Sequence, residues 1–184
     1  IAALARRKGR PMAVHVCASI PIHVRDGSWP HTLAHVRDNG RLGLPGGHVG
    51  KFNRAPGIRA LEKAMDSELI EEHDMSFHRI RAALAAAGGE ERVIHGVVSQ
   101  AGSGWSEEHV IVCWTWHFPE GRAPPDSLSL RTIMQHTSNA AHLGSEVLGV
   151  CAVPSTEPPS SAEHYRRRSM RNVSRHLWEF PHLE

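Results

Sequence analysis

Residues 67–75 read SELIEEHDM, and the placing of this stretch decides the fold. Glu68, Glu71 and Glu72 fall within five residues; on a helix they stand at i, i+3 and i+4, so their carboxylates converge on one side. Apolar spacing through Leu61, Ala64, Met65 and Leu69 carries the helix back to about Ile58 and forward to His73. At 100° per residue from Leu61, those apolar residues cover an arc from about 300° through zero to about 80°. Glu68 and Glu72 fall inside it, at about 340° and 20°, and Glu71 at its edge near 280°. Two acids are thereby aimed inward. A carboxylate facing a core is costly unless a partner offsets it, and the partners available are arginines or a hard divalent cation such as Mg²⁺ or Mn²⁺. A helix whose glutamates lie at the solvent margin is the plainer alternative.

Ahead of the helix, RLGLPGGHV (Arg41 to Val49) places Gly46 and Gly47 at a strand end. Bare backbone there can come close to an ion or a phosphate. Further upstream, MAVHVCASI (Met12 to Ile20) reads as a strand, and HTLAHVR (His31 to Arg37) as a second one, stopping at the hairpin signal Asp38-Asn39-Gly40. Downstream, a helix from about Phe77 to Ala87 ends at Gly88-Gly89. Strands follow at about Arg92 to Ser99 and His109 to Phe118, the latter with Val110, Val112, Trp114 and Trp116 on one face. A short helix over Leu128 to His136, a strand over Glu146 to Val153, a Pro- and Ser-rich segment and a last basic helix from about Ala162 to Phe180 complete the chain. The simplest architecture is a mixed sheet covered by helices, an α/β or α+β sandwich.

With 184 residues and 40% hydrophobic content, the chain has room for one core. The expected organisation is a basic tail over residues 1–11, one domain over 12–180, and a tail at 181–184 that reads as a cloning scar. No apolar run approaches the roughly 20 residues of a membrane-spanning helix, so no membrane partner is expected. The net charge is only +2, but Arg6, Arg7, Lys8 and Arg10 crowd the start and Arg166, Arg167, Arg168, Arg171 and Arg175 the end. Basic ends suit a polyanion, or are simply solvated charge. Cys17, Cys113 and Cys151 are odd in number and form no CxxC pair, which favours buried free thiols in a reducing compartment. The chain begins at Ile1, either truncated or processed. Its acid-free start is compatible with the remnant of a mitochondrial address.

A Gly-Gly turn, a loop and a helix carrying ExxEE together resemble the Nudix box, GX5EX7REUXEEXGU. Within that superfamily the chain looks most like the snoRNA-decapping Nudix hydrolases that also act as inosine diphosphatases. HVCA (His15 to Ala18), RDNGRLGLPGGHV (Arg37 to Val49), RALEKAMDSELIEE (Arg59 to Glu72) and GSEVLGVCAVP (Gly144 to Pro154) carry the likeness, in the family's order. It implies a Nudix-type α/β/α sandwich with a mixed sheet. It also implies a Mg²⁺ or Mn²⁺ site made by Glu68, Glu71, Glu72, the Gly47 carbonyl and Glu146, with Glu71 and Glu72 catalytic. Arg37 and His48 match positions lining the nucleotide pocket, and Trp105, on the Gly-rich stretch AGSGWSEEH, is a candidate base-stacking side chain.

Four departures accompany the likeness. Ser67 replaces the box arginine, Asp74 the glycine near the helix end, and Ala18 the base-recognising histidine. The loop between Gly47 and Arg59 is about five residues longer than in the subgroup. The implied function is a metal-dependent pyrophosphohydrolase acting at an RNA 5′ end, or decapping it, with activity attenuated by Ser67. A nucleoside diphosphatase is one alternative; another is a catalytically weak domain that binds RNA or scaffolds RNA-processing proteins. The expected address is mitochondrial by the basic start, or nuclear or cytoplasmic by the resemblance. Dimers are common in the superfamily, which makes a homodimer an expectation, with the Trp114 and Trp116 strand at its interface.

Overall fold

A computed structural model describes residues 12–24, 31–37, 42–52, 56–98, 109–142 and 147–154. Strands β1 (Met12–Ser19), β2 (Pro21–Ile22), β3 (His31–Arg37), β4 (Leu42–Gly43) and β5 (Gly46–Phe52) precede helices α1 (Ile58–His73) and α2 (Phe77–Ala86). Strands β6 (Glu90–Val98) and β7 (His109–His117) follow, then a 3₁₀ turn (Asp126–Leu128), α3 (Leu130–His142) and β8 (Val147–Pro154). The predicted bounds of α1 and β3 hold. Helix α3 runs six residues past the predicted His136, to His142, because Thr137 and Ala140 are buried and continue its apolar face. The predicted helix over 162–180 lies outside the described residues.

The fold is the mixed α/β arrangement expected, with a mixed sheet and helices, its strands lying in two four-stranded sheets. The first runs β5-β1-β7-β6; β1 and β7 are parallel and the outer pairs antiparallel. In the second, β3 pairs β8 along its length and meets β2 and β4 near its two ends, all antiparallel. The β3–β4 pairing flanks the predicted hairpin; its turn, 38–40, lies outside the described residues. Helix α1 packs on β5 and β1 and against α3, which in turn packs on β8. The packed pair α1 and α3 thus spans from the first sheet to the second.

Trp114 and Trp116 correct an expectation. They are 0% and 7% exposed, and β7 is an interior strand paired on both edges. Phe77 of α2 meets both rings edge-on, at centroid distances of 5.0 and 6.4 Å. The tryptophans therefore fill the chain's own core, as their large apolar area favours, and are not offered to an interface. Of the cysteines, all free, only Cys113 is fully buried; Cys17 and Cys151 are half-buried. Burial pushes the Cys151 thiol up to about 11.

The N-terminal end of α2 is fixed by α1. Asp66 Oδ1 accepts hydrogen bonds from the Ser76 hydroxyl at 2.9 Å and the Phe77 amide at 2.8 Å, meeting a donor that the helix itself leaves unpaired. Arg81 of α2 donates to Glu62 of α1 at 2.7 Å and to Glu91 of β6 at 2.6 and 2.8 Å.

Candidate functional site

Strand β5 opens on Gly46, whose φ of +138° is poorly open to L side chains. A Cβ there would also collide with the Val16 carbonyl of β1. Only glycine lets the turn press against β1, and the close approach aims the Gly46 amide at the end of α1. Its N–H donates to Glu72 Oε2 at 3.1 Å. At Gly47 a Cβ would sit inside the Glu68 carboxylate. The Gly-Gly turn is thus a seat for two α1 carboxylates, Glu68 over bare backbone and Glu72 on an amide.

The helix is rotated from the arc read off its apolar letters. Leu61, Met65, Leu69 and His73 are its buried residues, an arc from zero to about 120°. Ala64 is half-buried and Glu71 exposed. Glu68 and Glu72 remain half-buried, on the side facing β5. Helix α1 then stops at Asp74, which takes the left-handed conformation (φ 51°) that glycine adopts most readily and that Asp tolerates better than most residues. The Met75 amide closes the turn on the Leu69 carbonyl at 3.2 Å.

Two histidines that sequence reasoning did not single out converge on Glu72. His35 is fully buried on β3, its Nδ1 3.4 Å from Glu72 Oε2. His73, also fully buried, holds Nε2 3.9 Å from the same oxygen. The two rings stack at 5.7 Å with planes 25° apart. A signal was present for each: His35 alternates with Leu33 along β3, and His73 extends the 61-65-69 spacing by one turn.

The protonation of His73 follows from its partner. The Thr137 hydroxyl donates to the Ile133 carbonyl at 2.9 Å, so its oxygen accepts from His73 Nδ1, also at 2.9 Å. With Nδ1 carrying the proton, Nε2 of the neutral ring presents a lone pair. Burial pushes the His73 pKa down to about 4, Glu72 opposing the shift and His35 adding to it, so the ring is neutral at pH 7.

The remaining expected site residues are spread more widely. His48 is exposed on β5, its ring 4.7 Å from that of His15 on β1. Arg37 ends β3, paired with Val147 at the start of β8. Glu146 and Trp105 lie outside the described residues. Ala18 is fully buried in the main core, and Ser67 is exposed. The structure thus brings Gly47, Glu68 and Glu72 together and leaves Glu71 on the solvent side of α1. A divalent ion fits this donor set, since carboxylate and carbonyl oxygens are what Mg²⁺ and Mn²⁺ take.

No protein-family model and no curated protein matches the sequence. Solved structures similar to the chain include Nudix proteins. The Nudix domain of Shewanella oneidensis NrtR, complexed with ADP-ribose, is 16% identical over 89% of this chain and 88% of its own, with a TM-score of 0.41. A MutT Nudix hydrolase from Burkholderia pseudomallei is 19% identical over 89% and 99%, also at 0.41. A bifunctional NMN adenylyltransferase/ADP-ribose pyrophosphatase from Francisella tularensis is 15% identical over 97% of this chain but 43% of its own length, at 0.41. Likeness at this level assigns no substrate and no residue role to this chain. Among the described residues no helix is long and apolar enough to cross a membrane.

Proposed function

We propose that the chain is a divergent Nudix-type hydrolase that uses a divalent metal ion to cleave a diphosphate linkage in a nucleotide or at an RNA 5′ end. The observation that carries this is the seating of two inward carboxylates of α1, Glu68 and Glu72, on the bare backbone of Gly46 and Gly47. Glu68 and the Gly47 carbonyl would hold the ion, with Glu146 and Glu71 as its further expected ligands. Bound there, Mg²⁺ or Mn²⁺ would neutralise the diphosphate and lower the pKa of a water. Glu72 is fixed by the Gly46 amide, so its carboxylate is preorganised beside the turn. Glu71, on the solvent side of the same helical turn, is placed to take a proton and pass it to bulk water. Arg37 and His48 are the proposed nucleotide contacts and Trp105 a stacking surface. The basic ends supply phosphate-backbone contacts, which favours RNA over a small nucleotide.

A second reading has its own observation. Glu71 is exposed and Ser67 supplies no cation beside the cluster, which suits an attenuated enzyme or a domain that binds RNA within a processing complex. One experiment separates the two: incubation with 5′-triphosphorylated RNA, capped RNA, inosine diphosphate and ADP-ribose, in Mg²⁺ or Mn²⁺, beside Glu68→Gln and Glu72→Gln. Phosphate or nucleotide release that falls about 100-fold or more in both variants is the result expected of the hydrolase. Binding of RNA without turnover of any substrate would favour the scaffold and sink the enzyme.

A further inference from the structure

We propose that His35, Glu72 and His73 form a site for a borderline divalent transition ion, Zn²⁺, distinct in donor chemistry from the all-oxygen site at Glu68 and Gly47. One ligand atom from each residue can be chosen so that all lie within 4.8 Å of one another. Donors about 2.1 Å from an ion and a tetrahedral angle apart are separated by about 3.4 Å. His35 Nδ1 and Glu72 Oε2 already stand at 3.4 Å; His73 Nε2, at 3.9 Å from that oxygen, needs a small inward movement.

The independent observation is His73 Nε2 itself. It is buried, has no hydrogen-bond partner among the described residues, and stands 3.9 Å from a carboxylate oxygen. An acceptor aimed at an acceptor inside a fold is repulsive, and a cation between the two reverses the sign. The other ring nitrogen donates to Thr137, which is itself anchored to the Ile133 carbonyl. Metal-ligating histidines are held in this way, the second nitrogen bonded to an oxygen that fixes tautomer and ring plane.

Donor type sets the ion. Two imidazole nitrogens and one carboxylate suit Zn²⁺ and its first-row neighbours, whereas Mg²⁺ takes oxygen ligands and keeps its water. Both histidines are fully buried and come from different elements, one from β3 and one from α1. The ion would therefore tie α1 to the second sheet. This goes beyond the hydrolase reading and does not depend on it, although Glu72 is common to both.

The test uses the full chain, stripped with a chelator and then titrated with Zn²⁺ by calorimetry and with Co²⁺ by visible absorption. Stoichiometric binding is expected, with a cobalt spectrum of low coordination number. His73→Asn keeps an N–H for Thr137 while removing Nε2, and is expected to weaken Zn²⁺ binding by about 100-fold or more; His95→Asn, at an exposed histidine, should leave it unchanged. Because a variant at a buried residue can fail to fold, the imidazole nitrogen resonances of the unaltered protein are followed as Zn²⁺ is added. The signals of His35 and His73 should move together at one equivalent. Absence of stoichiometric binding, resonances of these two histidines that stay in place at saturation, or a folded His73→Asn that binds as tightly as the parent would each overturn the proposal. None of these readouts involves hydrolysis, so their failure is separate from failure of the hydrolase reading.

Discussion

Helix α1 carries polar side chains inward at two places, and the surroundings meet them in different ways. Near its start, Glu62 and Asp66 are met by hydrogens: the Arg81 guanidinium on one, the Ser76 hydroxyl and Phe77 amide on the other. At its end, Glu72 receives the Gly46 amide, while the acceptor nitrogen of His73 stands 3.9 Å from the same carboxylate. The first cluster is complete as it stands and joins α1, α2 and β6. The second brings acceptors together, which is the arrangement of a site prepared for a cation. Neighbouring turns of one helix therefore separate structure from proposed function.

The strongest way to break this contrast is to lift the end of α1 off its turn. Gly46→Ala places a side chain at φ +138° and against the Val16 carbonyl. Strain and overpacking together should cost about 4 kcal/mol, measured by urea unfolding, and Zn²⁺ binding and any hydrolysis should be lost with it. A loss under about 1 kcal/mol would mean that the turn does not press on β1 as described.

Acid offers a milder break. The folded pKa of His73, about 4, lies below its ordinary 6.5, so below pH 6.5 the unfolded chain binds the proton that the folded chain refuses. The stabilisation is complete above pH 6.5 and is lost as pH falls toward 4, amounting to about 3 kcal/mol. The metal-free protein should show this slope in thermal melts, and His73→Asn should flatten it. An equal slope in both would remove His73 from the account.

The same contrast marks what was legible in the sequence. Apolar spacing located α1 and β3 to the residue, because the local period of a helix or strand dominates there. The seat at Gly46-Gly47 was legible too, since a close approach needs bare backbone. His73 was missed because the helical arc was anchored on apolar letters alone. A buried histidine is polar in that alphabet, and counting it turns the face by about 50°, leaving Glu71 outside. His35 was hidden differently: β3 is buried on both faces, and its partner β8 is more than 100 residues away, a pairing that no local pattern encodes. The burial of Trp114 and Trp116 likewise depends on β7 lying between β1 and β6, which only the topology reveals.

The smallest effect tests whether the two clusters are independent. Asp66→Ala deletes the acceptor for the Ser76 hydroxyl and the Phe77 amide, leaving a helix-end donor partly buried without a partner. The expected cost is about 1–2 kcal/mol, read as a lowered urea midpoint with unchanged slope. Asp66→Asn keeps an acceptor oxygen and should recover part of it. Among the described residues Asp66 bonds to Ser76 and Phe77, whereas Glu72 bonds to Gly46 and His73 to Thr137, so Zn²⁺ affinity should stay within about 2-fold of the parent. If Asp66→Ala weakened Zn²⁺ binding as strongly as a substitution at His73, α1 would be acting as one coupled unit, and the division of its two ends into a structural and a ligand-binding role would fail.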